Sequence, residues 1–145
     1  MDEAAWPVPG LEIRDMAPSE AEVAIALALA QGWRNRRRFY DFVFRISTCQ
    51  PIVAVVEGRV VGTGLATVQG PVGWLGAIAV DAGFRRRGIG QAITNDLCRR
   101  LRAAGCTTLS LEATDDGRPM YERMGFRLAA TYHQLQAGHL ACTAM

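Results

Sequence analysis

The chain has 145 residues, half of them hydrophobic and 21% charged, with a mean hydropathy of +0.07, enough apolar material for a core and too much for disorder. The longest unbroken apolar run, Val23 to Ala30, has eight residues; a membrane-spanning helix needs about 20, and the acidic start Met1-Asp2-Glu3 lacks the order of a secretory signal. A net charge of +2 is too mild to imply nucleic acid, so the expectation is one cytoplasmic domain over residues 1–145, with no membrane partner.

After a loose Pro- and Gly-bearing start over Trp6 to Gly10, Leu11 to Met16 reads as a short strand. Pro18-Ser19 opens an Ala-rich helix over about 19–31, broken by Gly32. Arg36 to Thr48 reads as a second helix, because Phe39, Phe42, Val43 and Ile46 recur on one face, and Pro51 ends it. The period then changes. Ile52 to Val56 is a β-rich run, Glu57-Gly58 a tight turn and Arg59 to Val68 the returning strand of a hairpin.

Gly73 to Val80 (GWLGAIAV) is a nearly continuous apolar strand, as expected where both faces are covered. A basic, glycine-bearing loop leads to Ile89, Ile93, Leu97 and Leu101, which form the stripe of an amphipathic helix, and Gly105 sits where a left-handed cap belongs. Thr107 to Ala113 is the next strand. Strand, turn, helix and strand make a βαβ unit, so these two strands should run parallel. Arg118 to Met124 reads as a short helix ended by Gly125, Phe126 to Gln136 as a long strand, and His139 to Thr143 as a weak last one. The sum is an α/β fold: a mixed, mostly antiparallel, twisted sheet of six to seven strands with helices on both faces.

All sixteen basic residues are Arg, which reads mainly as a compositional bias. The four cysteines (Cys49, Cys98, Cys106, Cys142) include no CxxC and no His at ligand spacing, so no metal site or disulfide framework is expected. Cys98 reads as core and His133 as a structural residue of its strand.

The stretch that carries chemistry is Val80-Asp81-Ala82-Gly83-Phe84-Arg85-Arg86-Arg87-Gly88-Ile89-Gly90-Gln91. Glycines let main-chain amides approach a ligand, the start of a helix favours an anion, and guanidinium forks match phosphate oxygens. One reading is a pyrophosphate cradle; the other is a βα turn that packs tightly and exposes its arginines. A Walker loop is excluded because GxxxxGK[ST] is absent, and a Rossmann fingerprint because this stretch has only one G-x-G and no acidic residue follows at the ribose position.

Arg85-x-x-Gly88-x-Gly90 resembles the acetyl-CoA-binding motif of the GCN5-related N-acetyltransferases, and Met120-Tyr121-Glu122-Arg123-Met124-Gly125-Phe126 resembles the same family's second signature, about thirty residues on. The resemblance covers nearly the whole chain. It implies the GNAT-like acyl-CoA N-acyltransferase fold and acetyl-CoA as cosubstrate, with no metal. It also implies that Ile78, Ala79 and Val80 pair with the pantetheine arm, that the amides of Arg86, Arg87, Gly88, Ile89, Gly90 and Gln91 hold the diphosphate beside Arg85, and that Tyr121 protonates the departing thiolate.

The chain departs from the family at Thr114 and Gly117, where Asn and Ala are common; both positions remain cofactor-binding candidates. It has no carboxylate in the Gly73 to Val80 strand, where some relatives carry one and Trp74 stands nearby. The base is then Glu57, Glu112, Asp115 or Asp116, or a water relay, which is preferred. In the resembled fold the first two helices border the acceptor, which makes Trp33, Tyr40 and Asp41 candidate substrate walls and Glu112 a substrate-side candidate. The basic and aromatic run Trp33 to Tyr40 also admits a nucleic-acid patch or a plain helix surface. The expected activity is acetyl transfer to a primary amine, of a small molecule or a protein, by direct attack in a ternary complex; the rival from another class is a non-catalytic acyl-CoA sensor. The acceptor is not written in the sequence. The weak final strand suggests that a second copy completes the sheet as a homodimer.

Overall fold

The computed structural model describes residues 8–135. They fall into two compact units, one ending at Glu112 and one starting at Ala113. The first contains β1 (Glu12–Asp15), α1 (Ala21–Ala30), α2 (Arg37–Val43), β2 (Cys49–Val56), β3 (Arg59–Gln69), β4 (Val72–Val80), α3 (Ile89–Ala103) and β5 (Thr108–Leu111); the second contains α4 (Arg118–Arg123).

The five strands stand in sheet order β1-β2-β3-β4-β5. β1 to β4 are antiparallel neighbours, whereas β4 and β5 run parallel, joined by the α3 crossover that a parallel pair requires. Ile52 to Val56 of β2 are all buried, since β-branched side chains fill a pleated strand that is covered twice. At the hairpin, Glu57 and Gly58 both have positive φ, 49° and 77°, the signature of a type I′ turn.

Helices cover both faces. On one face Met16, Ala24, Ile25 and Tyr40 pack with Val53 and Val55, which seats α1 and α2 there. On the other face α3 lays Ile89, Ile93, Leu97 and Leu101 against the sheet, each at most 1% exposed. Each such side chain contributes about 1.5–3 kcal/mol on burial. Glycines let α3 approach: a Cβ at Gly62 would stand 2.8 Å from Ile93 Cδ1, and one at Gly64 2.7 Å from Ile93 Cγ2. Helices α1, α3 and α4 all end in the same turn, with Gly32, Gly105 and Gly125 at φ of 81°, 91° and 98°.

Three expectations are corrected. Among the described residues the sheet has five strands, not six to seven: residues 126–135 form no strand, and His139 to Thr143 lies outside the described residues. The apolar alternation is present, but a strand exists only against a partner edge that satisfies its amides; His133 is therefore an exposed residue on irregular chain. The second helix stops at Val43 instead of Thr48, and Pro51 lies within β2. The Pro51 carbonyl accepts from the Met16 amide on the β1 side, past the last β1–β2 pair (Asp15 with Ile52), so the missing N–H removes no ladder bond to β3.

Cys49, Cys98 and Cys106 are free thiols, and burial raises the pKa of Cys98, in keeping with a core residue; Cys142 lies outside the described residues.

Candidate functional site

β4 contains the first unusual geometry. Its register against β3 pairs Leu65 with Gly76 and Thr63 with Ala79, so Gly64 faces two residues, Ala77 and Ile78. This is a β-bulge, and Ala77 takes a φ of 50° in mid-strand. The pairing of β4 with β5 runs from Val72 to Leu75 and stops just before it. Beyond the bulge, the Asp81 amide donates to the Val61 carbonyl at 2.8 Å. Polar groups alternate sides along a strand, so Ile78 and Val80 turn theirs away from β3, to the edge that β5 no longer covers. The Val80 carbonyl accepts from Gln31 Nε2 at 3.1 Å and from Arg85 Nε at 3.3 Å.

The connection to α3 is built by Asp81. Its carboxylate accepts from the Gly83 amide at 2.9 Å and from Arg59 at 2.9 Å, and its carbonyl accepts from the Phe84 amide at 2.8 Å. The guanidiniums of Arg59 and Arg87 both lie over the Phe84 ring, 5.5 and 5.4 Å from its centre. Arg86 and Gly88 are left-handed, at φ of 58° and 80°; residues in that conformation turn successive amides into one concavity. Gly88 is the N-cap of α3 and supplies no side-chain cap.

Among the described residues, no amide from Arg85 to Gln91 donates to a protein acceptor, and the exposed side chains of Arg85, Arg86 and Arg87 have no carboxylate partner. Donors aimed outward, the positive end of a 15-residue helix and unneutralised guanidiniums together suit a polyanion.

In the second unit, Thr114 caps the start of α4: its hydroxyl and its carbonyl both accept from the Gly117 amide, at 3.2 and 3.1 Å. At the other end, the Phe126 amide donates to the Tyr121 carbonyl at 3.0 Å and the Gly125 amide to that of Glu122 at 3.1 Å, a Schellman turn. Tyr121 is half-buried.

Of the acceptor-side residues, Tyr40 is overturned. It is 3% exposed, stacked edge-on to Phe39, and burial raises its phenol pKa, opposed by a hydrogen bond with Thr63. It is core, because its ring fills the gap between α2 and β2 that a shorter residue would leave open. Trp33 is half-buried under the Arg36 guanidinium at 5.3 Å, and Asp41 and Glu112 are exposed. Glu57, Asp115 and Asp116 are exposed as well. Sequence reasoning missed Gln31, although a lone amide closing the largely apolar helix Ala21–Ala30 was a signal, and missed Thr63, a hydroxyl set between two glycines of β3. Among the described residues no cluster of three or more His, Cys, Asp or Glu is placed to hold a metal, and no helix is long and apolar enough to cross a membrane.

Residues 15–126 match the sequence model of the Acetyltransferase (GNAT) family. A glucosamine 6-phosphate N-acetyltransferase of Trypanosoma brucei brucei is 34% identical over 100 residues, 64% of this chain; the match takes in 65% of that relative's length, just under two thirds. Among solved structures, an acetyltransferase of Trypanosoma brucei superposes with a TM-score of 0.74 at 25% identity, covering 88% of this chain and 99% of that one. An aminoglycoside N-acetyltransferase in complex with CoA superposes with a TM-score of 0.73 at 16% identity, covering 89% and 95%, a likeness of fold alone. The mixed sheet with a bulged β4 and a basic turn into α3 is thus set in a fold shared with these proteins.

Proposed function

Because the chain belongs to the acetyltransferase (GNAT) family, we propose that it is an N-acetyltransferase moving the acetyl group of acetyl-CoA to a primary amine, of a small molecule or a protein, within a ternary complex. The observation that carries this reading is the set of outward amides from Arg85 to Gln91 at the start of α3, directly after the uncovered edge of β4. The residues present suit a nucleotide diphosphate: main-chain donors without acceptors and three arginines without carboxylates. The relatives and fold-mates named above, two of them small-molecule acetyltransferases and one solved with CoA, support the same chemistry.

In this reading the amides of Arg86, Arg87, Gly88, Ile89, Gly90 and Gln91 hold the diphosphate, and Arg85 adds charge beside them. Ile78 offers its amide and carbonyl, and Val80 its amide, to the pantetheine arm, while the Val80 carbonyl is held by Gln31 and Arg85 and Ala79 keeps the strand in register against Thr63. Thr114 and Gly117 contribute on the cofactor side. Acetyl-CoA supplies an activated acyl carbon and a thiolate leaving group. The Ile78 amide donates to the acyl oxygen, stabilising the charge that grows there as the amine nitrogen bonds to the acyl carbon. As the carbon–sulfur bond breaks, the Tyr121 phenol gives its proton to the sulfur; ordinary pKa values of about 10 and 8.5 make that transfer short of prohibitive. The proton lost by the amine leaves through water, since the candidate carboxylates Glu57, Glu112, Asp115 and Asp116 are all exposed.

The lack of a carboxylate in β4 favours the rival reading, a non-catalytic acyl-CoA sensor: Trp74, 38% exposed, stands near the place where the resemblance puts one in some relatives. A panel of amines followed by free thiol release decides between the two. Tyr121→Phe should keep CoA affinity and lower turnover at least about tenfold; wild-type protein that binds CoA but releases no thiol with any amine is the sensor, and protein that binds no CoA loses both readings. Leu128 and Leu135, 57% and 92% exposed, support the homodimer; sedimentation should show two copies, and a monomer at high concentration refutes it.

A further inference from the structure

We infer that Thr63 is a positioning residue for this reaction, whose hydroxyl holds the β4 bulge and so fixes which main-chain groups face the cosubstrate. The inference about the cosubstrate rests on the reading above; the part concerning the bulge does not. Among the described residues, three other than glycine have positive φ: Glu57 in the hairpin turn, Arg86 in the basic loop and Ala77. The first two lie in turns, where the conformation is common. Ala77 lies in mid-strand, where a Cβ opposes it and no turn requires it.

What holds Ala77 there is specific. The bulge takes its carbonyl out of the ladder, and Thr63 Oγ1 donates to that oxygen at 2.8 Å. Thr63 is 1% exposed, so no water competes for the bond. A hydroxyl carries one proton, and here that proton is given to Ala77.

The consequence for the site is one of parity. Inserting one residue into a strand exchanges the two edges for everything that follows. With the bulge, Ile78 and Val80 face the edge that β5 leaves uncovered, just before the unpaired amides of Arg85 to Gln91. Without it, Ala79 would face that edge and the Ile78 amide would point into β3. The hydroxyl thus selects the donor that meets the acyl oxygen.

The test uses the full chain with CoA as probe, and backbone NMR of Ala77 without it. Thr63→Val keeps the shape and removes the donor; it should weaken CoA binding by about tenfold in calorimetry and move the Ala77 carbon shifts and amide coupling from left-handed toward extended values. Thr63→Ser keeps the donor and should behave as wild type in both. Ala77→Gly accepts a positive φ without a hydroxyl to hold it, so adding it to Thr63→Val should recover most of the lost affinity, which a mere packing defect would not allow. If Thr63→Val alone does not fold, the pair on the Ala77→Gly background gives the answer: binding close to that of Ala77→Gly supports the role, and collapse overturns it. The role also falls if Thr63→Val binds CoA as wild type does with Ala77 still left-handed. Wild-type protein that binds no CoA refutes the proposed function instead, and the NMR comparison alone then decides whether Thr63 holds the bulge.

Discussion

The ring of Tyr121 meets that of Phe126 edge to face, with centroids 6.1 Å apart and planes at 79°. The pair closes the Schellman turn at the end of α4: Phe126 occupies the position after the left-handed glycine, and its amide bonds the Tyr121 carbonyl. The Gly-Phe ending of the second motif therefore has a local cause, since it clamps the tyrosine's ring from its own C-terminal side.

Two variants follow from this clamp. Gly125→Ala forces a side chain to a φ of 98° and should cost about 1–2 kcal/mol, read as a lower melting temperature. Phe126→Ala should leave CoA affinity unchanged and lower kcat several-fold, because a loosely held phenol is correctly placed less often. Equal losses in affinity and kcat would mean that Phe126 supports the fold and not the tyrosine.

The approach of α3 makes a prediction at atomic detail. Gly62→Ala meets Ile93 Cδ1 at 2.8 Å, whereas Gly64→Ala meets Ile93 Cγ2 at 2.7 Å. Each should destabilise by about 1–3 kcal/mol through overpacking. Ile93→Val removes Cδ1 and keeps Cγ2, so in double-mutant thermal melts it should compensate Gly62→Ala and leave Gly64→Ala uncompensated. Equal compensation of both would place α3 differently on the sheet.

A third prediction concerns acid stability. Glu20 takes two bonds from Arg14, at 2.7 and 3.1 Å, and one from the Ala17 amide at 2.7 Å. The Arg14 hydrogen bond is the main cause holding its carboxyl below the usual value of 4.5. A depressed folded pKa means that the unfolded chain takes up the proton first. The stabilisation is complete above that ordinary value and disappears as pH falls through the folded one. Glu20→Gln should thus melt below wild type at neutral pH and converge with it in acid; a constant gap across that range would remove charge from the explanation.

Legibility followed the physics of each element. The α3 stripe was plain because a spacing of four persists through Ile89, Ile93, Leu97 and Leu101, and each helix-ending glycine is a residue that few others replace. The hairpin and the parallel β4–β5 pair followed from turn chemistry and crossover length. Pro51 misled because a proline is safe in a strand when its missing N–H faces past a neighbour's end, which depends on where β1 stops. Residues 126–135 misled because alternation records which faces are apolar and not whether an edge is within reach. The bulge was hidden altogether: Gly76-Ala77-Ile78 reads as one more stretch of strand, and the bond that turns Ala77 comes from Thr63, 14 positions earlier.

The last prediction separates main-chain from side-chain binding at the basic turn. If amides carry the affinity for CoA, the conformation at Gly88 matters most. Its φ of 80° costs any side chain about 1–2 kcal/mol, so Gly88→Ala should weaken CoA about five- to thirty-fold, and by the same factor at low and high salt. The guanidiniums of Arg86 and Arg87 are exposed and act through a screened field, so replacing both with Ala should reduce affinity chiefly at low salt and flatten its salt dependence. Calorimetry of both variants across ionic strength is the check. Should the Arg variant lose affinity equally at all salt concentrations while Gly88→Ala binds as wild type, the arginine forks would be the true ligands and the outward amides incidental.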